Sequence, residues 1–434
     1  MRALLVSANR ERLASPVVPL GVLYVAAAVR DAHEVEVVDL CFATDPIATL
    51  HQAVERFRPD VVGLGLRNLH DNAYGATEAL LHYYESIARA LRASTAAPLV
   101  LGGTAATLRP TLLIDRLAPD HVVVGEGERA FRDLVDALAR GERRERVVQA
   151  TGARADLDTL CAPARDLVDA RYYELAGTDS VQTKRGCAFH CTYCDYPDIE
   201  GRRVRMRDPE SVADEIAARG RIPDVTHVFV VDSVFNFPKS HARAVCEALQ
   251  ARGAPVPWVC YASPAGLDDE LVGAMARAGC VGAEIGTDSG SARVLERLRK
   301  PFDLAQVRGV RALFRAHGLA DCHTFVLGAE GETIEEARET LAFVDEIDPD
   351  VAVFIVFTED REGRALGHSA LRDGLLDLLA REAPKRPGWV VPELGIRFGA
   401  KLTRFVQRRG LRGPAWLHLA TARKVGASGY SSSR

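Results

Sequence analysis

The sequence predicts an α/β protein in two parts: a doubly wound, Rossmann-like domain, then a partial (β/α)6 barrel, with a small helical region at the end. Three observations predict it. Short β-branched runs alternate with amphipathic stretches from the first residues onward, as parallel strands joined by helices do. The alternation breaks near residue 146 and resumes near residue 179. It stops again near residue 360, ahead of a basic tail. The expected organisation is therefore a first domain over 1–145, a linker over 146–178, a barrel over 179–358 and a basic helical region over 359–434.

Bulk composition narrows the function class. A chain of 434 residues has length for two or three domains, and 47% hydrophobic with 26% charged residues is ordinary for a globular protein. A net charge of -4 gives no global attraction for nucleic acid or an anionic membrane. The apolar start Ala3-Leu4-Leu5-Val6 is too short for a secretory signal or a membrane span. Nine cysteines, an odd number without regular spacing, point to reduced thiols in the cytoplasm.

In the first domain, strands are expected at Ala3–Val6, Val35–Val38, Val61–Leu66, Leu99–Leu101 and His121–Val124. Gly21–Arg30, Pro46–Phe57, Tyr74–Arg92 and Glu128–Arg140 carry helical periodicity between them. Such sheets bind ligands beyond the carboxyl ends of their strands. The candidates there are Asn68, the pair Gly102-Gly103 and Glu126. No GxGxxG follows the first strand, which argues against a dinucleotide.

Strand signals return at Ser180–Thr183, Thr226–Val231, Trp258–Tyr261, Cys280–Ile285, Cys322–Leu327 and Val351–Phe357, separated by helical stretches. Asp208-Pro209-Glu210 is a helix start, with an oxygen cap and a proline in the first turn. Six βα units fit an incomplete barrel, whose site gathers where strands end. Asp232 closes the second strand, Glu284, Thr287 and Ser289 the fourth, and Glu332 follows the fifth, where a loop or cap role is expected. A carboxylate such as Glu284, set among apolar residues, is costly unless paired or bound to a ligand. Cys260, Cys280 and Cys322 lie on or beside the third, fourth and fifth strands; pointing inward together, they would offer thiols to a soft substrate. From Pro384 the chain holds eleven Lys and Arg against the single acid Glu393, so this region is expected either to cover the barrel mouth or to form solvated helices.

The most informative stretch follows the first barrel strand: Lys184-Arg185-Gly186-Cys187-Ala188-Phe189-His190-Cys191-Thr192-Tyr193-Cys194. Disulfide frameworks pair their cysteines, and a structural zinc site closes with four ligands. Three thiolates without a nearby fourth suit a [4Fe–4S] cluster with one iron left free. The spacing CxxxCxxC, with Tyr193 before the last cysteine, resembles the signature of the radical SAM enzymes. The resemblance implies that Cys187, Cys191 and Cys194 bind the cluster. The free iron chelates S-adenosylmethionine, and an electron then splits its sulfonium. Tyr193, Asp232, Glu284, Thr287 and Ser289 are the implied contacts to that cofactor.

Upstream, PLGVLYVAAAV, RPDVVGLG, LVLGGTAATLRP and VVVGEGERAF together resemble the cobalamin-binding domain fused to one large class of these enzymes. Gly102 and Gly103 would match the glycines that let backbone approach the cofactor's nucleotide tail. The histidine motif DxHxxG is absent: Asp39-Leu40-Cys41-Phe42-Ala43-Thr44 carries Cys41 instead, and His70 is the nearest imidazole in a strand-end loop. The expected function is a cobalamin-dependent radical SAM methyltransferase acting on an unactivated carbon, or another poor nucleophile, of a small molecule. An external one-electron reductant, flavodoxin- or ferredoxin-like, would serve it. Two alternatives stand beside it: transfer of another fragment, such as 3-amino-3-carboxypropyl, without cobalamin, and a non-catalytic iron–sulfur or zinc protein.

Overall fold

A computed structural model describes residues 1–13, 15–69, 77–150, 156–357 and 370–429. The chain divides into two compact units. One is built from Met1–Arg12, Pro16–Tyr172 and Asp195–Arg205, the other from Leu13–Ser15, Tyr173–Cys194 and the chain from Met206 onward.

The first unit is a parallel six-stranded sheet in the order β2-β1-β3-β4-β5-β6. Its strands are β1 (Arg2–Ser7), β2 (Glu34–Asp39), β3 (Val61–Gly65), β4 (Leu99–Gly102), β5 (His121–Val124) and β6 (Val147–Gln149). Helices α1 (Leu20–Val29), α2 (Pro46–Phe57), α3 (Thr77–Ser94), α4 (Thr104–Leu108), α5 (Pro110–Leu117) and α6 (Gly127–Ala139) connect them. Alternate residues of β1 enter different cores, as a sheet covered on both faces requires. Leu4 and Val6 pack with Leu50, Leu81 and Leu113 of α2, α3 and α5. Ala3 and Leu5 pack with Ala26, Phe131 and Val135 of α1 and α6. Helix α2 starts as its sequence dictates, with Asp45 accepting from the Ala48 N–H at 3.0 Å and Pro46 in the first turn.

The stretch expected as a linker folds onto this unit. Val147 and Val148 form a strand too short for a periodicity signal, paired parallel with β5. Beyond it the Ala164 N–H donates to Leu23 O at 3.1 Å, and Tyr172 Oη donates to Asp39 at 2.8 Å.

The second unit opens with α7 (Arg171–Ala176) and β7 (Thr178–Val181). The cysteine-bearing stretch follows, with short strand β8 (Lys184–Arg185); helix α8 (Tyr196–Glu200) belongs to the first unit, and short strand β9 (Arg205–Met206) returns the chain to the second. Then come α9 (Pro209–Gly220), β10 (His227–Val230), α10 (Lys239–Ala251), β11 (Trp258–Ala262), α11 (Asp269–Arg277), β12 (Cys280–Asp288), α12 (Ala292–Arg297), α13 (Leu304–Ala316), β13 (Ala320–Leu327), α14 (Ile334–Ile347) and β14 (Val351–Val356). Strand order follows chain order, β7-β10-β11-β12-β13-β14, all parallel, as in a barrel wall. A seventh strand, β15 (Trp389–Val390), extends that wall, its Trp389 ring 4.6 Å from Phe354.

After α15 (Ala370–Glu382) and α16 (Ala400–Arg408), helix α17 (Ala415–Gly429) returns to the wall. Trp416 and Ala420 pack with Val259, Ala320, Cys322 and Val351, all at or near strand starts. Arg412 pairs with Asp224 at 2.6 Å, and Arg423 bonds Pro349 and Asp348, just ahead of β10 and β14. Helix α17 therefore closes the amino-terminal end of the barrel, its apolar Trp416 face outweighing the charge of the region in deciding where it docks. Among the described residues no helix is long and apolar enough to cross a membrane.

Candidate functional site

The cysteine loop leaves the carboxyl end of β7, and its first turn is built on one buried carboxylate. Asp232 accepts from the Thr183 N–H at 2.7 Å, from Thr183 Oγ1 at 2.5 Å and from the Lys184 N–H at 3.2 Å. Because the Thr183 hydroxyl proton goes to Asp232, its oxygen accepts from His241 Nε2 at 3.2 Å. Lys184, with a side chain 1% exposed, places its ammonium 3.9 Å from the same carboxylate. Asp232 thus fixes the loop's entry, and both of its oxygens are engaged by loop donors.

Gly186 turns the chain at φ +97°, where its carbonyl accepts from Ser233 Oγ at 3.3 Å. Farther along, the Thr192 N–H donates to Leu298 O at 3.1 Å and the Cys194 N–H to Cys191 O at 3.4 Å. Cys187 is buried, while Cys191 and Cys194 are half-buried. Among the described residues no three His, Cys, Asp or Glu gather tightly enough to surround one metal ion. A cubane cluster asks for a looser arrangement, one sulfur to each of three irons.

Beside the thiols lies a group that the linear pattern does not reveal. Asp288 ends β12 with φ +65°. Its Oδ2 accepts from Tyr193 Oη at 2.5 Å and pairs with Lys300 Nζ at 2.5 Å. Burial, then the neighbouring Asp288 charge, hold the Tyr193 hydroxyl far above its ordinary range, so it remains a donor. The only advance hint was that Asp288 closes a strand at the end where barrel sites gather.

The other expected residues scatter. Thr287 is fully buried, bonded to His323 Nδ1 at 2.7 Å, and Ser289 meets Thr340 Oγ1 of α14 at 3.0 Å. Both hydroxyls are thus already engaged by protein groups, and the pairing of β12 with β13 shifts between Gly286 and Asp288. Glu284 is aligned with Tyr261 and Cys322 on the side covered by Trp416. It stands four residues before Asp288, roughly 13 Å back along the strand. Burial pushes its carboxyl up to about 7, with the Trp416 indole opposing. Glu332 closes its own loop as expected, accepting from the Gly328 N–H at 2.6 Å and the Ala329 N–H at 3.0 Å.

The three strand cysteines do not form one pocket. Cys260 and Cys280 pack with Cys246 and Val245 of α10, in the core beneath the helices. Cys322 packs on the opposite side, with Trp416. Strict alternation puts Cys280 with Glu284, but a register shift leaves Val281 as an extra residue and turns Cys280 away.

In the first unit, Gly103 follows β4 at φ +93°, and a Cβ there would stand 2.6 Å from Leu66 O. A Cβ on Gly102 would meet nothing within 4 Å. The strand end therefore presents bare backbone with open space before it, a fit for a large cofactor lying against main chain. Glu126 is clamped by Arg205, with one contact at 3.0 Å. The Asn68 carbonyl accepts from Tyr84 Oη at 2.8 Å, so its backbone role is structural. His70 lies outside the described residues.

Residues 181–344 match the family model of the radical SAM superfamily, and residues 6–135 match that of the B12 binding domain. The chain carries a radical SAM domain and a B12 binding domain. The enzyme is 27% identical to an uncharacterized methyltransferase of Pyrococcus horikoshii, over 82% of this chain and 79% of that one. It is 25% identical to the tryptophan 2-C-methyltransferase of Streptomyces laurentii, over 80% and 71%. Its fold matches the radical S-adenosylmethionine methyltransferase TsrM from Kitasatospora setae, solved with cobalamin and a [4Fe-4S] cluster, at a TM-score of 0.82 and 21% identity over 100% and 99% of the two chains. The two domains imply the cofactors: a [4Fe–4S] cluster with S-adenosylmethionine for the one, and cobalamin for the other.

Gly102 and Gly103 supply a paired test of the cobalamin end. Gly103→Ala is expected to strain the backbone by about 1–2 kcal/mol and to shift the loop off Leu66. Gly102→Ala meets no protein atom, so it should leave the denaturation midpoint unchanged while filling the cofactor's approach. Both should weaken corrin binding about tenfold or more in an absorbance titration, a loss of about 1.4 kcal/mol.

Proposed function

We propose that this enzyme transfers the methyl group of S-adenosylmethionine to a carbon of a small biosynthetic intermediate, with cobalamin as the carrier. The observation that carries the reading is the pairing, in one chain, of a three-thiol loop at the end of the first barrel strand with a bare-backbone strand end in a B12 binding domain. When bound, the cluster supplies an electron to a sulfonium and the corrin supplies a methyl group that a carbon without a lone pair cannot take by polar attack.

The chain's own residues prepare that chemistry. Asp232, Thr183 and His241 fix the loop's entry, and Gly186 supplies its turn. Cys187, Cys191 and Cys194 would hold the cluster, which would leave one iron open to S-adenosylmethionine. Tyr193 and Asp288 brace the far side of the loop, and α17 seals the opposite end of the barrel against water. An external one-electron reductant, flavodoxin- or ferredoxin-like, completes the system.

Anaerobic reconstitution with iron and sulfide, followed by titration with cobalamin and incubation with methyl-deuterated S-adenosylmethionine and tryptophan, tests the reading. Tryptophan is the first probe because the name of a relative specifies it. The expected result is a protein that binds both cofactors, with deuterated methyl appearing on carbon of this probe or of another small intermediate. A cluster that cleaves S-adenosylmethionine with no affinity for corrin would instead mark transfer of a different fragment.

A further inference from the structure

We infer that Lys300 sets the reduction potential of the cluster, an inference that rests on the reading of Cys187, Cys191 and Cys194 as its ligands. The Lys300 side chain is only 8% exposed, although a buried ammonium is costly. It lies 5.6 Å from the centre of the Tyr193 ring, between two cluster cysteines in sequence, and 5.3 Å from that of Phe302. Its position is fixed from two directions. The Thr192 N–H donates to Leu298 O, tying the cysteine loop to the turn that carries Lys300, and Asp288 holds the ammonium at 2.5 Å.

Burial works against the ammonium, but Asp288 and the nearby Cys191 and Cys194 outweigh it, so Lys300 holds its proton more firmly than an ordinary lysine. It is therefore a fixed positive charge held by Asp288 beside the Tyr193 ring, in the electrostatic range of Cys191 and Cys194. Cluster reduction adds one electron from the external reductant, with no bond made or broken and no proton moved. The cluster and its thiolates then carry one more negative charge. A cation held beside them favours that state, and Asp288 opposes it. Asp288 has a second effect, since it keeps the ammonium in place. Removing Lys300 should thus make the cluster harder to reduce, while neutralising Asp288 should make it easier.

The test is a potentiometric titration of the reconstituted full-length protein, read by visible absorbance and electron paramagnetic resonance, with iron and sulfide counted per chain. Lys300→Met is expected to lower the equilibrium constant for reduction about tenfold, a shift of about 59 mV for one electron. Lys300→Arg keeps the charge and should restore the wild-type value. Asp288→Asn should shift the potential in the opposite direction to Lys300→Met. An unmoved potential in Lys300→Met, or an equal shift in Lys300→Arg, overturns the inference. If Lys300→Met assembles no cluster, Asp288→Asn decides: a shift toward easier reduction supports the inference and an unchanged potential overturns it. A wild-type protein that takes up no cluster would remove the reading beneath it as well, whereas a cluster with an indifferent potential removes this inference alone.

Discussion

Cys194→Ala protein, reconstituted without oxygen, is expected to show neither the broad visible absorbance of an iron–sulfur cluster nor any consumption of S-adenosylmethionine. Cys187→Ala and Cys191→Ala should behave alike. The effect is expected to be all-or-none because the three thiolates would each hold a different iron of the cluster. Burial raises the Cys191 thiol above its ordinary range, while the Lys300 ammonium favours the thiolate that an iron would require. The fold should survive, since the loop's entry is held by Asp232 and its far side by Tyr193. Circular dichroism and the denaturation midpoint check that half of the expectation, and iron analysis with product chromatography checks the other. Turnover of S-adenosylmethionine by any of the three variants would falsify the cluster assignment.

How much of this was legible in the sequence depends on how far apart the cooperating residues lie. The cysteine loop was legible because its chemistry sits within one short run, and the two sheets because buried parallel strands read as β-branched runs whatever their partners. Position at strand ends was legible too: Asp232 does close its strand beside the cysteine loop. Its task was not, because what a carboxylate accepts depends on which donors the fold brings to it. Lys300 and Asp288 meet only through tertiary structure, so no spacing announces them. Cys280 was placed on the wrong face for a plain reason. Reading a strand by alternation assumes an unbroken register, and β12 shifts twice, beside Val281 and beside Thr287. Trp416 outweighed the charge pattern of its own region, since one buried indole at the strand starts fixes α17 more firmly than dispersed surface cations direct it.

Asp232→Ala is the second variant with a large expected effect, and it separates two roles for one carboxylate. Were Asp232 a ligand for the ammonium of S-adenosylmethionine, the alanine variant would carry a full cluster and lose only affinity for the cofactor. The geometry predicts otherwise. Its two oxygens already accept from two main-chain N–H groups and a hydroxyl, and face the buried Lys184 ammonium at 3.9 Å. Removing the carboxylate leaves those donors and that cation without their acceptor in a site that water does not reach, a loss of about 3–5 kcal/mol by comparison with other broken buried pairs. The first turn of the loop should then loosen, and with it the spacing of the three thiols. Iron content should fall together with stability, measured as a lower denaturation midpoint in the metal-free protein. Asp232→Asn is expected to lie between the two: its amide retains one accepting oxygen but turns a donor toward Thr183 or Lys184. An alanine variant that keeps wild-type iron and wild-type stability while losing S-adenosylmethionine affinity would return Asp232 to the cofactor.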